Sequence, residues 1–150
     1  MGLFDKLKKD SGLHVMSVKS YCFVKKDEEL IELLSCDPKF DFSTKELLEK
    51  GFANKSVYRF YADYKADEIT LEPDPKNPAD KNAVKIILNG KFFGYVNKDD
   101  APKIKQFLKK GIITDLHLHN HGGPVRKIFS NGKCTADRYE FDTSLTITYE

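Results

Sequence analysis

The N-terminal third of the chain combines one strand pattern with two helix patterns. Weak alternation of apolar and polar positions over residues 17–24 predicts a strand. Residues 27–35 carry acids in the first turn and apolar residues behind them, which favours a short helix. The capping-box pattern of residues 43–46 and the glycine stop at Gly51 predict a second helix over residues 44–50.

Strand patterns dominate beyond this point. Residues 56–64 are rich in aromatic residues and valine, which favour strands. Apolar runs at residues 69–72 and 82–88 flank a stiff, polar corner. Asn89-Gly90 is a strong hairpin signal that leads into a strand at residues 91–97.

One helix interrupts the strands. We expect Asp99 or Asp100 to cap a helix that runs to about Lys110, with Pro102 in its first turn and Gly111 at its end.

The C-terminal part returns to strand patterns. Strands are predicted at residues 112–119, 125–129 and 145–149, with turns at residues 120–123 and 131–132. Many short strands around one helix predict a mainly β, α+β fold, in the form of a small β-barrel or rolled sheet.

Length and composition fit an ordinary globular protein. The 150 residues divide into a predicted barrel domain at residues 52–150 and a helical or mixed extension of unknown role at residues 1–51. Three widely spaced cysteines without a Cys-x-x-Cys pair indicate reduced thiols and a cytoplasmic protein. Nothing near the start is long and apolar enough for a signal peptide or membrane span. Residues 3–9 allow one amphipathic turn at a membrane surface, but a frayed or packed helix explains them more simply.

Net charge limits the way in which the chain could bind nucleic acid. The formal value of +2 is weaker than expected of a protein that coats duplex DNA through many phosphate contacts. A nucleic-acid contact would therefore be compact. The predicted central helix carries a lysine-rich surface, which fits either a solvated face or phosphate steering.

The polar corner carries the most specific motif. Residues 72–84 read E-P-D-P-K-N-P-A-D-K-N-A-V, followed by Asn89-Gly90 and then by Phe93-Gly-Tyr-Val96. In order and spacing these segments resemble the HIRAN domain family. The resemblance extends over about residues 57–149 and includes Gly122-Gly123.

This resemblance implies an OB-like β-barrel of about six strands with a helix after the central hairpin. It also implies binding of single-stranded DNA through capture of a free 3′ end. Arg59 then corresponds to a phosphate contact, and Phe60 or Tyr61 to a stacking face for a base.

Further DNA contacts are implied on and beyond the corner. Asp80 would accept a hydrogen bond from the 3′-hydroxyl, and Asn77 would brace the corner or touch the terminal sugar. Tyr95 stands where the family has an aromatic residue or histidine, and Lys98 could reach a phosphate. Phe141 matches an aromatic residue that lines the pocket.

Each assignment has a structural alternative. Asp80 could bond only its neighbours' amides in an Asx-turn. Phe60 and Tyr61 point to opposite faces of a strand, so at least one of them is expected in the core. Ala79 replaces a ring that the family usually has, and loss of a stacking ring costs about 1–3 kcal/mol per base.

A histidine run suggests separate chemistry. His117, His119 and His121 alternate in a predicted strand and would project from one side, which would suit an open zinc site. A solvent-facing strand with Leu116 and Leu118 buried explains the same alternation. We therefore predict no metal, no cofactor and no enzymatic activity, because no other catalytic motif is present.

The leading hypothesis is a small DNA-end-binding module in a process such as DNA repair. The alternative is a protein-interaction adaptor that kept the barrel but lost the DNA pocket, with residues 1–51 available to a protein partner. A third hypothesis is a metal-dependent hydrolase built on the histidine strand.

Overall fold

A computed structural model describes residues 12–150, and these form a mainly β structure with nine strands and three α-helices. The strands are β1 (His14–Cys22), β2 (Ser35–Cys36), β3 (Lys55–Tyr58), β4 (Phe60–Lys65), β5 (Ile69–Pro73), β6 (Val84–Leu88), β7 (Lys91–Val96), β8 (Ile113–Ile128) and β9 (Cys134–Tyr149). The helices are α1 (Asp27–Leu33), α2 (Thr44–Glu49) and α3 (Ala101–Lys110), and short 3-10 helices span Pro38–Asp41 and Ala66–Glu68. The amphipathic turn predicted at residues 3–9 lies outside the described residues.

The described residues fall into two units. Residues 12–25, 63–119 and 143–150 belong to the first unit, and residues 26–62 and 120–142 belong to the second. Strands β4, β8 and β9 each contribute residues to both. The predicted division at residue 51 stays a prediction.

The first unit contains an antiparallel sheet in the order β9, β1, β7, β6, β5. Strand β1 pairs with β9 from His14↔Tyr149 to Ser20↔Thr143, and with β7 from Ser20↔Val96 to Cys22↔Gly94. A strand from the N-terminal 51 residues is therefore built into this sheet. The predicted hairpin at Asn89-Gly90 joins β6 to β7 with positive φ at both residues, as a type I′ turn requires.

Helix α3 covers apolar surface of the first unit. It buries Ala101, Ile104 and Phe107, and the Phe107 ring stacks on Tyr149 with centroids 4.2 Å apart. Its start near Asp100 and its left-handed stop at Gly111 agree with the sequence prediction, although the Asp100 side chain makes no capping hydrogen bond. Fully buried apolar residues of β6, β7 and β9 complete the core, among them Ile86, Phe93 and Leu145.

The second unit has its own core, formed by Leu47, Val57 and Ile128 with partly buried phenylalanines around them. Helix α2 is capped as predicted, because the Ser43 hydroxyl accepts a hydrogen bond from the Glu46 amide at 3.1 Å. In this unit β3 pairs with β8 and β2 pairs with β4.

Two predicted elements differ from the structure. The single strand expected at residues 56–64 is split into β3 and β4 at Arg59, whose amide donates to Pro124 O while its carbonyl accepts from Asp37 N. The turn expected at residues 120–123 is wrong, since β8 runs unbroken from Ile113 to Ile128. Gly122 and Gly123 adopt φ of 116° and 80° within this strand, so the glycines change its course without ending it.

The predicted OB-like barrel of about six strands is not confirmed. In the first unit β5 pairs only with β6 among the described residues, so that sheet has an open edge and does not close on itself. The coarser prediction of a mainly β, α+β fold is confirmed. Over residues 12–150, every helix is too short or too polar to span a lipid bilayer.

Candidate nucleic-acid interface

The proline-rich corner between β5 and β6 is held by its own polar groups. Asn77 Oδ1 accepts hydrogen bonds from the amides of Ala79 at 2.9 Å and Asp80 at 3.1 Å. Asp80 Oδ1 accepts from the Asn82 amide at 2.9 Å, and Asp74 N donates to Ala83 O at 2.8 Å. Because proline also fixes φ at three positions of this segment, the corner is rigid before any ligand arrives.

These bonds show what Asn77 and Asp80 contact within the loop. The Asn77 side chain braces the loop. Asp80 forms the Asx-turn, but only through Oδ1, and Oδ2 makes no hydrogen bond with any of residues 12–150. The carboxylate is half-buried and retains one acceptor for a ligand. Ala79 is exposed and presents only a methyl group.

Four exposed or partly exposed rings lie on β7, at the end of β1 and just beyond it, and we call them the ring face: Tyr21, Phe23, Phe92 and Tyr95. Tyr21, Phe23 and Phe92 are 44%, 53% and 41% exposed. The Tyr95 centroid is 4.9 Å from that of Phe23 and 5.5 Å from that of Phe92, with the rings edge to face. Such a cluster of exposed aromatic side chains offers stacking surfaces to planar groups.

A β-bulge creates this arrangement. The register between β6 and β7 shifts, with Ile86 opposite Gly94 and Ile87 opposite Phe92. The bulge buries both Phe93 and Gly94, so Phe92 and Tyr95 share one face although they are three residues apart. In a regular strand they would point to opposite faces.

Gly94 is required by a close approach of two strands. A Cβ atom at this position would lie 1.8 Å from the Tyr21 carbonyl oxygen. Because that atom is backbone, no side-chain rotation could relieve the overlap. The glycine of the Phe93-Gly-Tyr-Val96 step thus lets β1 lie against β7.

The Tyr95 hydroxyl joins the ring face to the corner. It donates a hydrogen bond to Asp74 Oδ2 at 2.8 Å. Burial and this hydrogen bond raise the pKa of the Tyr95 phenol, and a hydrogen bond with Asn77 opposes the rise. Tyr95 therefore contacts both the ring face and the corner.

Cationic side chains accompany the rings. Lys19 Nζ lies 5.5 Å from the centroid of Tyr21, and Lys85 lies opposite Tyr95 in the β6–β7 register. Lys85 also forms a 3.8 Å ion pair with the exposed Glu72. Lys98 is exposed just beyond β7. Rings and ammonium groups together suit bases and phosphates, respectively.

The remaining predicted contacts lie in the second unit. Phe60 is 2% exposed, so the stacking assignment to this residue is wrong and leaves Tyr61, which is 52% exposed. This outcome confirms that one of the two rings belongs to the core. Arg59 Nη1 pairs with Asp27 Oδ2 at 3.3 Å, and Phe141 is half-buried with its ring against Gly123.

A cavity of about 240 Å³ adjoins Tyr61 in this unit. Its walls comprise Asp37, Lys39, Phe52, Ser56, Val57, Tyr58, Phe60 and Tyr61. The Lys39 ammonium pairs with the Asp37 carboxylate at 3.4 Å. The lining of the cavity is therefore partly aromatic and partly charged, with one ion pair.

The histidines occupy one side of β8, with Leu118 buried on the other side. His117 Nε2 contacts the Asp63 carboxylate, and the His121 ring lies edge to face with Tyr58 at 4.4 Å. Within residues 12–150, the structure contains no group of three or more His, Cys, Asp or Glu side chains that could hold a metal ion.

Sequence reasoning missed three members of the ring face. Tyr21, Phe23 and Phe92 were not identified as candidates, although the first two alternate with Ser20 and Cys22 in the predicted first strand. That alternation placed both rings on one side, and Ser20 on the opposite side is buried. The signal for Phe92 depends on the bulge, which the sequence does not reveal.

The predicted contacts thus separate by unit. Asn77, Asp80, Tyr95 and Lys98 lie in the first unit, and Arg59, Phe60, Tyr61 and Phe141 lie in the second. No curated protein and no solved structure shows significant similarity to the chain. The family model of the HIRAN domain matches residues 56–120, which confirms the resemblance indicated by the corner motif.

Proposed function

We propose that this protein binds single-stranded DNA and receives its free 3′ end at the corner. HIRAN domains form a family of single-stranded DNA-binding modules. The observation that carries the proposal is the ring face, which is joined to the rigid corner by the hydrogen bond from Tyr95 to Asp74.

The ring face supplies sequence-independent affinity in this proposal. Base–aromatic stacking contributes about 1–3 kcal/mol per base and tolerates any base, because every base has a π-face. Tyr21, Phe23 and Phe92 are exposed enough to accept such contacts. Lys19 and Lys85 beside them neutralise phosphates as the strand crosses the sheet.

The corner supplies the preference for an end. Asp80 Oδ2 accepts a hydrogen bond from the terminal hydroxyl, while Oδ1 keeps the carboxylate in position through Asn82 N. A terminal phosphate would bring negative charge against this carboxylate and would be disfavoured. Asn77 acts indirectly, because its side-chain oxygen already holds the corner.

Within the second unit, we propose Arg59 as a phosphate contact, Tyr61 as a stacking surface and Phe141 as a lining residue. Lys98 would serve as a further phosphate contact from the first unit. We infer a binding role without enzymatic activity.

Fluorescence anisotropy with matched oligonucleotides tests the end preference. The wild-type protein should bind a strand with a 3′-hydroxyl more tightly than its 3′-phosphorylated twin. Asp80→Asn keeps the acceptor for the Asn82 amide but removes the charge, so it should reduce this difference about tenfold, which corresponds to about 1.4 kcal/mol.

Asp67→Asn provides the control, because it makes the same charge change at an exposed position of the first unit. It should leave the preference intact. Equal wild-type affinities for the two strands would contradict end recognition. Absence of binding to either strand at low salt would contradict the DNA-binding function and favour the alternative role as a protein-interaction adaptor. The observation that supports this alternative is the exposed methyl group of Ala79, which stands in place of a ring.

A further inference from the structure

Asp27 is shared by two arginines in the second unit. Its Oδ2 lies 3.3 Å from Arg59 Nη1, and its Oδ1 lies 3.1 Å from Arg138 Nη2. The two guanidinium groups come from segments far apart in sequence, at the β3–β4 junction and in β9. They meet at one carboxylate, with one group on each oxygen.

This cluster is accessible and unevenly charged. The Arg59, Asp27 and Arg138 side chains are 35%, 35% and 51% exposed. Two cations face one anion, so the cluster retains a formal charge of one positive unit. An anion arriving from solvent can therefore reach both guanidinium groups.

Each arginine has a further contact next to it in sequence. The Arg59 guanidinium carbon lies 5.2 Å from the centroid of the buried Phe60 ring. At Arg138, the backbone amide donates to Asp137 Oδ1 at 2.8 Å.

We propose that Arg59 and Arg138 together bind one phosphodiester of single-stranded DNA, and that Asp27 is the internal anion displaced from them. A phosphodiester carries one negative charge and two non-bridging oxygens, which reproduce the charge and the paired acceptors of the carboxylate. This inference rests on the proposed function and extends it. It identifies Arg138 as a second phosphate contact and Asp27 as a competitor of DNA.

Displacement is energetically feasible because the ion pairs are not buried. Partly exposed pairs are weak and are screened by salt, whereas breaking a fully buried pair would leave a costly unpaired charge. The exchange replaces one anion with another. Asp27 thereby lowers DNA affinity without blocking binding.

Neutralising the competitor is the first test. Asp27→Asn should raise the affinity for a short single-stranded oligonucleotide about two- to fivefold in anisotropy titrations at low salt. Glu29→Gln is the matched control, since it removes the same charge from an exposed position in the same turn of α1. It should change the affinity less than Asp27→Asn does.

The salt dependence tests the second phosphate contact. Arg138→Gln should reduce the slope of log K against log salt concentration by about 0.7, the value for one phosphate contact with a single strand. Lys133→Gln removes the same charge from an exposed position just before β9 and should leave the slope unchanged. A purely structural role of Arg138 would not change this slope.

The outcomes separate this inference from the proposed function. Suppose that the wild-type protein binds DNA. If Asp27→Asn and Glu29→Gln then have the same affinity, or Arg138→Gln and Lys133→Gln have the same salt slope, the two-arginine site is wrong and DNA binding stands. If neither the wild-type protein nor Asp27→Asn binds DNA, both are overturned.

Discussion

At the scale of single residues, Tyr95 contributes both to the proposed DNA-binding surface and to the stability of the folded protein. Its ring belongs to the ring face, while its hydroxyl donates to Asp74 of the corner. Burial and the Asp74 contact raise its pKa above the ordinary value of 10.0. A phenol whose pKa is raised by folding stabilises the folded state fully at pH values below the ordinary pKa. That stabilisation is lost as pH rises through the higher, folded-state value.

Tyr95→Phe should therefore lower the free energy of unfolding by about 1 kcal/mol at neutral pH, because one hydrogen bond to a carboxylate is lost. The difference from wild type should shrink as pH is raised above about 10. Urea unfolding at a series of pH values measures both effects.

Tyr21→Phe is the control for this change. Tyr21 lies directly opposite Tyr95 in the β1–β7 register, and its hydroxyl makes no hydrogen bond within the described part of the chain. Its removal should cost little at any pH. A Tyr95→Phe difference that stays constant to high pH would argue against the role assigned to the phenolic proton.

At the scale of elements, the sequence predicted the helices, caps and turns that depend on interactions between neighbouring residues. The Ser43–Glu46 cap, the Asn89-Gly90 hairpin and the α3 helix each depend on neighbouring residues, and the structure contains all three. The corner motif is also largely local, since the hydrogen bonds accepted by the Asn77 and Asp80 side chains span at most three residues. This explains why the most specific part of the candidate site was recognisable.

Features that depend on distant partners were either mispredicted or missed. Gly122-Gly123 is typical of a turn, yet β8 continues, with Gly122 close to the backbone of β9 and Gly123 close to the Phe141 ring. Phe92 and Tyr95 share a face only because of the bulge against β6. In both cases the deciding contact lies on another strand, which a local pattern does not encode.

Gly122→Ala tests this explanation at β8. A Cβ atom there would lie 2.3 Å from the Glu140 carbonyl oxygen, and φ is 116°. We expect the free energy of unfolding to fall by about 3 kcal/mol, from backbone strain and overpacking together. Thermal and urea unfolding would measure the change.

Gly132→Ala separates strain from contact. Gly132 also has positive φ, at 87°, but an added Cβ atom would meet nothing within 4 Å. Its cost should be limited to about 1 kcal/mol of conformational strain. Equal costs for the two variants would show that the approach of β8 to β9 is not what requires glycine at position 122.

At the scale of the whole molecule, net charge separates two ways of binding a single strand. With a formal charge of +2 over 150 residues, the protein has only a small net positive charge with which to follow a long phosphate backbone. Affinity must then come from a small number of stacked bases and from the terminus itself. A protein that coats DNA would instead gain sites with every added length of strand.

Circular single-stranded DNA distinguishes these modes, because it offers every internal contact but no terminus. A linear strand of the same sequence should displace a labelled linear oligonucleotide from the protein. If the terminal contacts contribute about 1.4 kcal/mol or more, the circle should displace it at least tenfold less well. Stoichiometry gives an independent measurement. One protein should bind each linear strand whatever its length, because each strand has one 3′ end. A number of bound proteins that grows with strand length would contradict end binding, and so would equal competition by the circle. Either result would assign the ring face to internal rather than terminal nucleotides.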